Sequence, residues 1–164
     1  MDSTALAALV LADLDAIVDR TRAAYLERVP KIRQLDAATL DDVLEATRRT
    51  MAQFTRYYLE GTLDAEGWRA VRDATIARAG ETFSRDEIME IIEIAHGIGS
   101  EAIEALAAQH PELTAPERAK LAKALDRYVT ELADQEDRAL PRLSSPSRLD
   151  DILTDLENEG ADLQ

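Results

Sequence analysis

The chain has no cysteine, which excludes disulfides, thiol nucleophiles and thiolate-bound metals. Basic residues are scarce: 19 Lys and Arg stand against 33 Asp and Glu in 164 residues, a formal net charge of -14. A surface of that sign is repelled by phosphate backbones, so direct nucleic-acid binding by this segment is not expected. No stretch approaches the ~20 apolar residues of a membrane-spanning helix, and no basic segment precedes an apolar block as in a secretion signal. These absences predict a cytoplasmic protein. There is no period-2 strand pattern, no glycine-rich phosphate loop, no nucleophile-elbow string and no Ser/His/Asp set that helices would bring together. No reaction is implied, and a non-enzyme is expected.

What the chain does contain is helical periodicity nearly throughout. Leu6, Val10, Leu14, Ile17, Thr21 and Tyr25 step by three or four and share one face. They predict a first helix from Ser3 to Val29, ended by Pro30. A second helix is expected between Asp36 and Gly61, with Leu40, Val43, Leu44, Thr47, Met51, Phe54 and Tyr58 inward and Gly61 as the stop. A third covers Ala65 to Ala79 behind Asp64. Ser84 and Glu87 form a capping box for a fourth helix ending near Gln109, and Thr114 and Glu117 form another for a fifth ending near Ala139. The expected fold is all-α, an antiparallel bundle of about five helices over residues 1–140. Residues 141–164 read as a linker rich in proline and serine, then an acidic amphipathic tail. Residues 131–164 carry ten acids and three bases. Within the tail Leu149, Ile152, Leu153 and Leu156 occupy i, i+3, i+4 and i+7, as in a short helix that docks on a partner, folds back on its own bundle or begins a connector to a further domain.

Candidate functional residues are few. Glu93 and His96 have the Glu-x-x-His spacing of dinuclear carboxylate sites. The second histidine, His110, sits at a helix end, so no metal site and no cofactor is expected from this spacing. His96 by itself has a plain reading, a half-buried imidazole bonded to a neighbour such as Ser100. It also has a sharper one, axial ligation of a haem or a similar apolar cofactor. Gly97 and Gly99 each cost about 1 kcal/mol relative to alanine within a helix. By phase Gly99 faces the core, where another helix or a ligand comes near, and Gly97 faces out, where a second protomer could pack. Arg72 falls in the apolar sector of the third helix, either snorkelling, paired with an acid such as Asp13, or meeting an anionic ligand. Tyr57 points off its helix's stripe toward a partner, while Tyr58 and Trp68 fit a core.

Several strings resemble a known family, the all-helical N-terminal sensory module of PucR/CdaR-type transcriptional regulators and RsbRD-type stress co-antagonists. They are Ile17 to Val29 with Tyr25…Pro30…Leu35, the segment Phe54-Thr55-Arg56-Tyr57-Tyr58-Leu59-Glu60-Gly61, Trp68 to Gly80, and Phe83-Ser84-Arg85-Asp86-Glu87-Ile88-Met89. The run Ile94-Ala95-His96-Gly97-Ile98-Gly99 sits where the family shows an Ala-Tyr-Arg-x-Gly-like run, with His96 and Gly97 in place of the aromatic and the arginine. The resemblance covers residues 10 to 140. It implies a sensing module, often dimeric, that controls an output domain through a ligand or partner protein, and it implies no reaction. No helix-turn-helix region is expected after residue 140, which leaves a truncated regulator or a stand-alone sensor. The face of His96, Gly97, Gly99 and Ser100 is the expected binding region, with Arg72 and Tyr57 as outlying candidates.

Overall fold

The computed structural model describes residues 1–79 and 83–139. Among these it is all-helical: α1 (Ser3–Ala12), α2 (Leu14–Arg28), α3 (Pro30–Arg33), α4 (Ala37–Glu60), α5 (Ala65–Ala79), α6 (Arg85–Gln109) and α7 (Ala115–Ala139). Seven elements stand where about five were expected, for two local reasons. The first expected helix is divided at Asp13, whose φ of -91° and ψ of 2° leave the helical region. Aspartate is among the weaker helix formers because its short side chain competes for backbone groups. The ladder still passes through it, Asp13 N donating to Leu9 O and Ile17 N to Asp13 O. The apolar stripe therefore continues across the break, with Leu6, Leu14, Ile17, Thr21 and Tyr25 buried. Pro30 ends α2 as expected, but it also starts α3 at the one helical position where its missing N–H costs nothing. That extra turn inserts Ile32, 1% exposed, into the core.

The remaining boundaries follow their caps. Asp36 accepts from Thr39 N at 2.7 Å and Asp64 from Gly67 N at 2.8 Å. Gly61 closes α4 at φ 77°, a left-handed conformation that glycine adopts without strain. Ser84 Oγ accepts from Glu87 N at 3.2 Å. The Thr114–Glu117 box is reciprocal: Thr114 N donates to the Glu117 carboxylate at 2.7 Å, and Glu117 N donates to Thr114 Oγ1 at 3.4 Å.

Helix α4 is the hub, packing against α1, α2, α5 and α7, while α6 packs on α2 and α7. Its surroundings explain why both sides of its C-terminal half are buried. Tyr57, expected to face outward, is 1% exposed because α5 covers that side, and Tyr58 is 8% exposed. Thr47, Thr50 and Thr55 are buried beside them. Threonine hydroxyls are tolerated there because each bonds back to its own helix, as Thr50 does to Ala46 O at 2.9 Å. The linker and the tail residues Leu149, Ile152, Leu153 and Leu156 lie outside the described residues.

Candidate functional site

An apolar cleft of about 80 Å³ opens where α2, α4, α6 and α7 converge beside the α1–α2 junction. Leu14 and Ile17 of α2, Met51 and Phe54 of α4, Ile92 and Ile103 of α6 and Leu125 and Leu132 of α7 form its walls. Each comes from the inward stripe of its helix, so the cleft is where several stripes fail to fill the space between them. Two features keep it open. Ala95, Gly99 and Ala102 present little or no side chain from α6, and the break at Asp13 turns the end of α1 so that Val10 and Asp13 form the rim.

The hydroxyls and the imidazole of the cleft have defined partners. Tyr128 OH donates to Thr50 O at 2.5 Å, which ties α7 to α4. Thr50 spends its own proton on Ala46. His96, half-buried at the rim, pairs its Nε2 with Asp126 Oδ1 at 2.8 Å and so links α6 to α7. The partner is Asp126 on the facing helix rather than Ser100 one turn on, because α7 packs along that side of α6. Asp13 pairs with Arg20, 3.7 Å away, instead of Arg72.

The six candidates within the described residues divide among four places. His96 and Gly99 line the cleft. A Cβ on Gly99 would meet Leu125 Cδ2 at 3.1 Å, so the inward-facing glycine does permit a close helix contact. Gly97 and Ser100 lie on the exposed side of the same helix, and a Cβ on Gly97 would meet nothing within 4 Å. Arg72 is exposed on α5. The buried line of that helix runs through Trp68, Val71 and Ala74, so Arg72 falls off the apolar sector in which its phase had placed it.

Tyr57 belongs to a separate buried cluster. Its ring lies edge-on to Trp68 at 6.5 Å and 5.2 Å from that of Tyr128, while Trp68 stacks on Tyr128 at 6.1 Å. Its hydroxyl donates to Glu131 Oε1 at 2.7 Å. Burial first, and then the hydrogen bond to the Glu131 carboxylate, push its ionisation above the ordinary tyrosine range. Carboxylates do not all map to outer faces, since Glu136 on α7 is wholly buried. Sequence reasoning missed Leu125 and Tyr128 as cleft residues because each reads as an ordinary member of a core stripe, and missed Thr50 because a polar residue beside the stripe gives no sign of burial. Asp13 carried a signal, an acid beside an apolar stripe. Among the described residues Glu93 is exposed, and no three His, Asp or Glu side chains gather as a metal site.

These features define an all-helical domain with an apolar cleft rimmed by polar groups. Among the described residues no helix is long and apolar enough to cross a membrane. The chain belongs to the family of the RsbT co-antagonist protein rsbRD N-terminal domain, whose model matches residues 15–135. It is a family of regulatory, signalling domains. The match takes in α4 to α6 entire and nearly all of α2 and α7, while Val10 and Asp13 of the cleft rim precede it. No curated protein and no solved structure gives a significant match.

Proposed function

We propose that this is a non-enzymatic regulatory domain of the cytoplasm. It binds a small ligand or a partner protein at the cleft and works as a homodimer. The observation that carries the reading is the cleft itself, an unfilled apolar space at the meeting of four main helices. A molecule seated there touches α2, α4, α6 and α7 together, so its binding energy acts on how those helices pack, which is what a sensor requires. The exposed Gly97 and Ser100 on the outer side of α6 support pairing with a second copy, because a helix axis can approach closely where no Cβ stands. A signal from the cleft has a short path to that face, through the same helix.

A haem-like cofactor is the weaker reading. Pockets for drug-sized ligands run to roughly 300–1,000 Å³, and this cleft holds about 80 Å³. His96 also directs Nε2 to Asp126.

Native mass spectrometry on the untagged full chain tests the proposal. A dimer is expected, with or without a stoichiometric added mass, and Gly97→Trp is expected to shift it to monomer. A bare monomer overturns the reading. A Gly97→Trp variant that stays dimeric removes Gly97 from the interface.

A further inference from the structure

The cleft joins two unlike chemistries. Its walls are hydrocarbon, and the hydroxyls of Thr50 and Tyr128 already donate to Ala46 O and Thr50 O. Apolar cavities whose walls make no polar demand stay dry and accept apolar guests. Charge sits at the rim, and its sign is specific. Asp13 and His96 are the titratable side chains of the lining besides the tyrosine, and no Lys or Arg lines the cleft. His96 is engaged through Nε2 by Asp126. Asp13 stands at the N-cap position of α2 but makes no cap hydrogen bond with its side chain. Arg20 lies 3.7 Å from it, beyond hydrogen-bond distance, and both side chains are about half exposed. Asp13 is thus the one acid among the residues lining a largely apolar, half-open cleft, and its carboxylate has acceptor capacity to spare, on a chain of net charge -14.

We propose that the cleft binds a short-chain primary ammonium ion, its hydrocarbon body among Leu14, Phe54 and Leu125 and its head donating to the Asp13 carboxylate. An N⁺–H···O⁻ bond at a half-open rim supplies direction, and burial of the chain supplies affinity. Size limits the body: a cavity of about 150 Å³ takes benzene, so 80 Å³ and an open mouth suit about four or five carbons. The carboxylate and the overall charge exclude fatty anions of equal length. This deepens the ligand-binding reading above and rests on it.

The test is a titration of the full chain, methyl-labelled at Ile, Leu and Val, with butylammonium, 1-butanol and butyrate at matched ionic strength. Butylammonium is expected to shift the Ile17, Ile103 and Leu125 methyls saturably, leaving Ile32 and Leu113 unmoved. It should bind about tenfold more tightly than butyrate and several-fold more tightly than butanol. Asp13→Asn should lower the butylammonium affinity to that of butanol without altering butanol binding. Ala95→Phe, which fills the cleft, should abolish both. If that variant does not fold, the exposed Asp13→Asn site carries the test alone. Equal binding of butanol, or no effect of Asp13→Asn, overturns the head-group assignment and leaves the ligand-binding reading standing. Equal binding of butyrate overturns it too. Shifts spread evenly over the core, or no saturable shift with any probe, overturn the inference entirely, and native mass spectrometry then decides the regulatory reading separately.

Discussion

Gly99 of α6 faces Leu125 of α7 so closely that a Cβ built on the glycine would lie 3.1 Å from Leu125 Cδ2 and 3.5 Å from Cδ1. Both residues line the cleft, so the contact sets its width. Leu125 has empty space beside it and can yield by a few tenths of an ångström. The helix preference for alanine then decides the sign.

Gly99→Ala should accordingly be neutral or stabilising by up to about 1 kcal/mol. Gly99→Leu, which overfills the contact, should cost about 1–3 kcal/mol. Gly97→Ala, with nothing within 4 Å of its Cβ, should stabilise the free protomer by about 1 kcal/mol. Urea denaturation of the three variants checks the order. A Gly99→Leu variant as stable as the parent would refute the close-contact argument.

Trp68 anchors α5 by stacking on Tyr128 and meeting Tyr57 edge-on. Trp68→Ala removes a largely buried ring from the junction of α4, α5 and α7 and should cost about 3–5 kcal/mol. Trp68→Phe should cost much less. Thermal melts followed by circular dichroism would separate them, and equal losses would mean that area rather than shape matters little there.

Tyr57 keeps its proton above the ordinary range through burial and through its bond to Glu131. The folded state holds this proton more firmly than the unfolded state does. The stability it contributes is therefore full below pH 10, the ordinary value, and is lost as pH rises through the higher folded value. In a spectrophotometric titration Tyr57→Phe should remove one late-ionising tyrosine from the profile. The same variant strands a carboxylate oxygen and should lose about 1.5 kcal/mol.

Glu117 shows the opposite sign. The terminal ammonium of Met1, 2.8 Å from Oε1, is the largest cause, followed by the backbone and hydroxyl donors of Thr114, and together they hold its pKa down at about 2. Its contribution is present above pH 4.5, the ordinary glutamate value, and is lost as pH falls toward about 2. Urea midpoints of the parent should fall more steeply across that window than those of Glu117→Gln. Parallel curves would mean that the pair with Met1 does not form in solution.

How much of this was legible in the residues varies with the physics involved. Caps are local, since Asp36, Asp64, Ser84 and Thr114 need only the next three residues to act, and all four start helices where their spacing put them. The inward face of Gly99 and the rim position of His96 also followed from helical phase. The break at Asp13 did not, because an unbroken apolar stripe conceals a change in one residue's dihedrals. Arg72 and Tyr57 were misplaced for a related reason. Phase says which residues share a side of a helix, but not how many sides its neighbours cover. With α4 covered by α1, α2, α5 and α7, Tyr57 is enclosed, while on α5 the buried line leaves Arg72 in solvent.

By itself, then, the sequence determined helical class, most helix limits, the family and the sign of the surface, since these depend on composition and on contacts within a few residues. Tertiary structure alone decided that His96 meets Asp126 and that Tyr57 meets Glu131, two pairings 30 and 74 residues apart. It alone decided the cleft as well. A void belongs to no residue: it is the space that several packed stripes leave between them.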